Sequence, residues 1–493
     1  MAEEQNQTSS YRGIFKATSL FGGVQAYQIL IGVIKSKFVA ILLGPEGMGI
    51  QGLYQSAIQL IQSFSSLGLS RSAVRDVSEA NGSGNTNRIG LTVAVVKKLV
   101  WLTGLLGLVL TIIFSPVLSK TTFGNYDYTI PFIILSIILL LEQLSAGQRV
   151  VLQGMRKHKF LAKSTAIGST FGLIVSVPLY YLFGVEGIVP TLILNSLTML
   201  ALTWYFSKKV DIKKIEVTNR EAFIQGQSMM KMGLAMSVSG IVNILFVYLL
   251  RGFIRYSGGL EQVGLFTAGF AIMNTYVGMI FNAMITDYYP RMAAVNDDNQ
   301  KCRQMINQQS EIGLLIMAPM LLICLIFMPI VIEILYSDKF LETYDYIIWA
   351  IPGMLFKLCS WAIAIIFVAK GARKTYMANE LIGNSINFLC SIAGFYFYGL
   401  AGMGIGFTIG YFFYFLKVYI AATTKYEFSF TKSLKTLWSI QFLLVVSGLI
   451  GVMIFTKNTV YVLGIALILC SAVISIKELN TRLNIFKKLN HGK

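Results

Sequence analysis

Gln51, Gln55, Gln59, Gln62 and Ser66 step by four, four, three and four residues through an otherwise apolar stretch. At about 100° per helical residue they fall within an arc of roughly 80°. Hydrocarbon offers a carboxamide no partner, so such a stripe must face protein or water. It can serve as interhelical hydrogen bonding, or it can line a wet cavity and meet the polar groups of a ligand. The stripe runs nearly the length of its segment, which favours the cavity. The segment before it adds Gln25 and Gln28.

Deep charges are few and mostly basic. Lys97, Lys98, Arg149, Lys231 and Lys417 lie near segment ends, where long stems can carry the charge out to headgroups. Lys357 cannot do so easily, because it sits mid-segment. Lys35 and Lys37 fall in the outer part of the first apolar segment, and Arg251 takes the matching place in the seventh. A desolvated cation is costly, so a functional role is the default reading. Pairing with Glu142, Glu333 or a headgroup phosphate is the alternative. On an ideal wheel Lys35 shares the Gln25/Gln28 face and Lys37 lies nearly opposite; a bend near Gly32 would reconcile them. Glu142, the one acid deep in a segment, could bind a proton or small cation, or serve as the partner of Lys357 or Arg149. Tyr27, Tyr54, Tyr248 and Tyr276 lie in or near polar stretches, where they can pack or contact a sugar.

These residues belong to elements that cross a membrane. The chain is 55% hydrophobic and 13% charged, with mean hydropathy +0.66, whereas a soluble domain carries about a quarter charged residues. Apolar runs long enough for a core of about 30 Å recur from Gly13 to Ile476. No small-residue cleavage site follows the first run, which is read as a retained helix. The first-half spans are 13–43, 47–69, 99–118, 128–152, 161–182 and 187–206. The second-half spans are 228–253, 264–285, 312–336, 347–369, 376–397 and 402–422, and two more follow at 437–455 and 461–476.

The two halves repeat. Gly44-Pro45-Glu46-Gly47-Met48-Gly49 returns as Gly259-Leu260-Glu261-Gln262-Val263-Gly264, and Phe183-Gly184-Val185-Glu186-Gly187 as Tyr398-Gly399-Leu400-Ala401-Gly402. Tyr126-Asp127-Tyr128 returns as Tyr344-Asp345-Tyr346, and Gly154-Met155-Arg156-Lys157 as Gly371-Ala372-Arg373-Lys374. All four pairs lie roughly 215–218 residues apart, the pattern of an internal duplication. The expected fold is all-α and polytopic, with about 14 transmembrane helices: two six-helix lobes in pseudo-two-fold repeat plus two extra C-terminal helices. The expected divisions are 1–206 for the N-terminal lobe, 207–225 for a cytoplasmic linker, 226–422 for the C-terminal lobe, and 423–493 for the extra helices and a basic tail. Such halves frame a cavity that opens to each side in turn, so transport is the first functional expectation.

The formal net charge of +18 reports orientation. With both termini on one side, roughly 28 Lys and Arg fall on that side and about five on the other, which makes both ends cytoplasmic. Nothing further supports nucleic acid as a partner. Loops are short, no soluble domain fits between spans, and no G-x-x-x-x-G-K-[ST] phosphate loop occurs. The five cysteines form no Cys-x-x-Cys pair, and both histidines, His158 and His491, sit in loop or tail, so no metal site is expected.

The order of these features resembles the Wzx-type O-antigen and polysaccharide flippases of the multidrug/oligosaccharidyl-lipid/polysaccharide exporter superfamily. The likeness covers roughly residues 15–422. It rests on Lys37 with Leu43-Gly44-Pro45-Glu46-Gly47-Met48-Gly49, the polar second span closing on Arg71 to Ala80, Asp287-Tyr288-Tyr289-Pro290-Arg291, and Gly371-Ala372-Arg373-Lys374. The resemblance implies a transporter of undecaprenyl-pyrophosphate-linked oligosaccharide in the bacterial inner membrane. It implies no cofactor beyond H+ or Na+ coupling, for which Glu142 is the candidate, and membrane lipids and a polysaccharide polymerase complex as partners. Buried cations suit a pyrophosphate, and Gln, Asn and Tyr suit a sugar; the expected binding residues are Lys35, Lys37, Arg251, Lys357, Gln25, Gln28, Gln51, Gln55, Gln59 and Gln62. A multidrug exporter of cations would line its cavity with acids, against the basic balance here. A membrane polysaccharide polymerase or ligase would need a large external loop and a catalytic acid or base, and the external loops are short.

Overall fold

The computed structural model describes the backbone of residues 2–483 and the side chains of residues 23–482, positions 235, 276, 286 and 457 excepted. The end of the expected basic tail, 484–493, lies outside the described residues. Among the described residues all regular structure is helical, as it must be where hydrocarbon leaves backbone groups no partner but each other. Two compact units divide the chain, Met1–Tyr256 and Ser257–Lys493.

The first unit contains α1 (Ala2–Ser65), α2 (Leu69–Gly82), α3 (Thr86–Phe123), α4 (Thr129–Gly154), α5 (His158–Phe183), α6 (Ile188–Lys208) and most of α7 (Asn219–Ala271). Its core joins Leu69, Ala73 and Val77 of the amphipathic α2 to Val96 and Leu99 of α3, Val150 and Val151 of α4, and Ala222 and Met229 of α7. Gly68 and Gly233 are in backbone contact, which no side chain would permit. The second unit contains α8 (Met279–Ala294), α9 (Asn299–Leu335), α10 (Thr343–Ala369), α11 (Arg373–Tyr426), α12 (Lys432–Ile454) and α13 (Lys457–Leu483). Its core packs Tyr288 and Met292 with Ile306, Ile363, Phe367 and Val418. The last two helices lie on α9, where Arg482 Nε meets Glu311 Oε2 at 3.0 Å.

Among the described residues ten helical stretches are apolar and long enough to cross a membrane; this is a multi-pass membrane protein. Four of the ten run continuously through a break, where the expectation of about fourteen counts two spans each. Gly23–Ser65, His158–Lys208, Met236–Ala294 and Arg373–Tyr426 hold 43, 51, 59 and 54 residues. A straight helix of 54 residues would be about 80 Å long, far beyond a core of about 30 Å. In α11 the resolution is visible. Backbone angles leave the helical region at Tyr398 and Gly399. Lys417 Nζ donates to Ala378 O at 3.0 Å and Tyr414 Oη to Glu380 Oε1 at 2.8 Å, while Gly402 lies against Gly394 and Gly406 against Cys390. These pairs close symmetrically on residue 398, so the two arms run antiparallel.

The breaks repeat. Gly44 (φ 67°, ψ −173°) matches Gly259 (φ 83°, ψ −178°), and Gly184 (φ 54°, ψ −130°) matches Gly399 (φ 59°, ψ −139°). Each pair is 215 residues apart (259 − 44; 399 − 184), in regions that only glycine enters without strain. Helices α4 and α10 end in the same Schellman motif. Lys157 N donates to Leu152 O, and Ala372 N to Phe367 O, each at 2.8 Å, with Arg156 (φ 54°) and Gly371 (φ 67°) left-handed. Arg156 therefore corresponds to Gly371, and the look-alike tetrapeptides beginning at Gly154 and Gly371 are two residues out of register. The tyrosine pair does not correspond either: Tyr126–Tyr128 precede α4, whereas Tyr344–Tyr346 lie inside α10.

Candidate functional site

The glutamine stripe occupies the arm of α1 that follows Gly44. Leu53, Ala57 and Leu60 turn into the unit and are buried. Gln51, Gln55 and Gln62 are half-buried and Gln59 is exposed, so the stripe stands off the packed face. Gly44 is the one residue of α1 with non-helical angles. Gly32, the expected bend, stays helical. On the other arm Lys35, Lys37 and Gln28 are half-buried and Gln25 is exposed.

Arg251, on α7, reaches this arm. Its Nη1 donates to Gly52 O at 2.9 Å and to Ser56 Oγ at 3.0 Å, the residues that directly follow Gln51 and Gln55. Its buried Nε–H finds no acceptor. Buried donors are nearly always satisfied, so an idle guanidinium N–H marks a place for an acceptor. Among the described residues no carboxylate stands within ion-pair distance of Arg251.

Glu142 has the Gln62 side chain and the Arg149 guanidinium as its polar neighbours; Arg149 is one of the two partners considered from sequence. Arg149 Nη1 in turn donates to Ser145 Oγ at 2.9 Å, and Ser145 shares a 3.2 Å hydrogen bond with Thr203. Gln143 Nε2 donates to Thr103 Oγ1 at 2.9 Å. Sequence reasoning missed Thr103, Gln143, Ser145 and Thr203. Lone hydroxyls in apolar spans ordinarily bond their own backbone, as Thr103 also does to Leu99 O, so only Gln143 carried a signal.

In the second unit Lys357 Nζ donates to Asn274 Oδ1 at 2.9 Å. The rings of Tyr411, Phe281 and Phe407 lie 5.4, 5.7 and 5.9 Å from the ammonium, a set of π faces that stabilises a cation without neutralising it. Asn274 sits in the π turn Ile272–Tyr276, where one extra residue re-aims side chains, a device frequent at functional sites. No described carboxylate pairs with Lys357. Sequence reasoning missed Asn274, whose signal was an amide in the middle of a span.

Three of the four tyrosines considered as sugar contacts are engaged elsewhere. Tyr27 Oη bonds Thr170 Oγ1 at 2.6 Å. Tyr248 Oη bonds Thr121 and Thr122, each at 2.9 Å. Tyr54 is buried against Phe123 and Phe132. The Tyr276 side chain lies outside the described residues.

The polysaccharide biosynthesis protein family matches residues 38–345, more than half of the chain. This chain is a member of that family. The match takes in the glutamine stripe, Glu142 and Arg251, and ends before Lys357. The chain is 19% identical to the lipid III flippase of Escherichia coli K12 over 361 residues, 71% of this chain and 84% of that protein. It is 24% identical to a putative O-antigen transporter of Shigella flexneri over 338 residues, 65% and 76% of the two chains. In fold this polysaccharide biosynthesis protein resembles the lipid II flippase MurJ in an inward closed conformation. The TM-score is 0.66 at 14% identity, covering 93% of this chain and 99% of that one. A multidrug resistance MATE family transporter in an inward-facing conformation gives 0.65 at 14% identity, covering 83% and 96%.

Proposed function

We propose that this polysaccharide biosynthesis protein is a flippase. It moves undecaprenyl-pyrophosphate-linked oligosaccharide from the cytoplasmic to the outer leaflet of a bacterial inner membrane, by alternating access of two lobes, with both termini cytoplasmic. The observation that carries the reading is that Arg251 and Lys357, cations within apolar spans, are held by neutral partners. An unpaired buried charge costs several kcal/mol, and a pyrophosphate brings the compensating charge with strong charge-assisted hydrogen bonds. The carboxamides of Gln51, Gln55, Gln59 and Gln62 suit sugar hydroxyls, with Gln25 and Gln28 on the preceding arm and Lys35 or Lys37 as a further cation. The prenyl tail stays in lipid throughout. No covalent bond changes, so the protein acts as a transporter and not as an enzyme. The same reading makes a polysaccharide polymerase complex the partner that receives the flipped glycan.

The relatives support the substrate class: a lipid III flippase and a putative O-antigen transporter. The basic balance of the deep charges sets this chain apart from an exporter of cationic drugs. Reconstituted vesicles test the proposal. Pyrophosphate-linked glycan loaded on one leaflet should become accessible on the other faster than in protein-free vesicles. Transport of cationic dyes with no movement of the glycan would reject it.

Coupling to H+ or Na+ is assigned to Glu142, with Arg149 and Gln62 as the groups that respond to its charge. Glu142→Gln keeps the shape and cannot ionise. Gradient-driven transport should fall to the rate seen without a gradient; an unchanged gradient response removes Glu142 from the mechanism.

A further inference from the structure

Apart from those residues, the first unit holds a cavity of about 680 Å³ between α3, α4, α6 and the segment after α6. That segment is strapped down. Ile212 and Ile215 pack on the core of α2, α3 and α4, and Val210 on Leu152 and Phe206. The Lys213 carbonyl lies where any side chain at position 90 would collide, so Gly90 admits it against α3.

Four lysines stand around the cavity: Lys97 on α3, Lys208 closing α6, and Lys213 and Lys214 on the strapped segment. Two are engaged. Lys213 Nζ donates to Asn87 Oδ1 at 2.8 Å, and Lys208 Nζ lies 3.6 Å from the centre of the Trp204 ring. Lys97 and Lys214 are exposed and close enough to repel each other. The acids of the segment, Asp211 and Glu216, form no described ion pair with any of the four. The rest of the lining is mostly apolar, with Val93, Val100, Leu144 and Leu200, and includes Gln148. Trp101 and Trp204, each 49% exposed, stand at the margin.

We propose that this cavity binds the phosphate of an anionic glycerophospholipid. Lys97 and Lys214 take the phosphate, while Trp101 and Trp204 pack on the glycerol and upper acyl chains. Charge complementarity is the first reason: four lysines and no carboxylate line this cavity, so an anion is the ligand that balances it. Basic pockets between spans on the cytoplasmic side are suited to such headgroups, and this is the end of the bundle we read as cytoplasmic. The walls supply the second reason. Half-exposed tryptophans at the end of a span are interface residues, and a mostly apolar lining beside the cations fits a lipid where free phosphate would leave it wet. Bound there, the phosphate bridges α3 to the strapped segment and relieves the Lys97–Lys214 repulsion.

Native mass spectrometry of the full chain, offered equal phosphatidylglycerol and phosphatidylcholine of one chain length, tests this. The expected preference for phosphatidylglycerol is roughly 30-fold, the order that two lysines at a headgroup supply. Lys97→Gln/Lys214→Gln should bring it near parity, whereas Lys97→Arg/Lys214→Arg should keep it. Lys159→Gln/Lys163→Gln removes equal charge from exposed lysines on α5 and should also keep it. A preference unchanged in Lys97→Gln/Lys214→Gln, or lost equally in the α5 variant, rejects the site. Displacement of the lipid by inorganic phosphate at equal concentration would reassign it to a free anion and overturn the proposal.

Discussion

Alanine at position 259 places its methyl group in open space, since nothing lies within 4 Å of where the Cβ would sit. The cost is therefore conformational alone. At φ 83°, ψ −178° an L-residue is strained by roughly 1–3 kcal/mol, and the smaller freedom of alanine in the unfolded chain returns about 0.4–1 kcal/mol. The net loss is roughly 1–2 kcal/mol by this reckoning. Gly451 is the control, with the same open space around its Cβ inside the regular helix α12. There Gly→Ala should stabilise by about 0.5–1 kcal/mol. The two substitutions should thus differ by about 2 kcal/mol, some 30-fold in the unfolding equilibrium. Gly44→Ala should cost as much as Gly259→Ala, because the angles and the empty surroundings are shared. Denaturant unfolding of the purified protein in detergent, followed by helical signal, measures all three. If Gly44→Ala and Gly259→Ala unfold together with Gly451→Ala, glycine is not what permits the breaks, and the repeated angles lose their meaning as a constraint.

Other expectations follow from the site. Arg251→Gln should lower glycan translocation roughly 10- to 100-fold, the value of one charge-assisted hydrogen bond, at near-normal protein abundance. Arg251→Lys should partly restore it, because charge survives although the fork geometry is lost; full translocation by Arg251→Gln would remove it from the site. Single cysteines at Gln51, Gln55, Gln59 and Gln62 should react with a water-soluble thiol reagent, and one at Leu53 should not; uniform protection would mark the stripe as interhelical glue. Glu221 answers to pH. The Thr218 backbone N–H, then the Thr218 hydroxyl, hold its carboxyl below the ordinary range, in a reciprocal cap at the start of α7. A depressed folded pKa contributes stability above the unfolded value of about 4.3 and loses it as pH falls through the folded value. Amide protection in the first turn of α7, measured against the intrinsic exchange rate at each pH, should therefore fall below about pH 4, and in Glu221→Gln that protection should not change over the range.

Much of the architecture was legible because hydrocarbon is an unforgiving solvent. Apolar length announces spans, and a carboxamide stripe announces a face that lipid does not wet. The repeat was legible where a backbone needs glycine: Gly44 with Gly259 and Gly184 with Gly399 carry the same angles, so the chemistry of the residue and the geometry of the chain coincide. It misled where side-chain likeness stood in for backbone. Gly154-Met155-Arg156-Lys157 looks like Gly371-Ala372-Arg373-Lys374, yet the left-handed positions are Arg156 and Gly371, because a hydrogen-bonded helix end cares about φ and ψ before it cares about names.

What each charged group meets was decided by tertiary structure. Sequence placed Arg251 at the depth of Lys35 and Lys37, but only the packing of α7 on α1 brings its guanidinium to Gly52 and Ser56 and leaves Nε idle. Sequence marked Lys357 as unable to reach the surface; the π turn that aims Asn274 at it has no local signature, since one residue's insertion changes no composition. Glu142 was visible as a lone acid, and the choice between Lys357 and Arg149 as its neighbour waited on the fold. Depth along a helix follows from residue number at 1.5 Å per residue, so one sequence fixes it. Partners across helices depend on which faces meet, and that is a property of all the side chains packing at once.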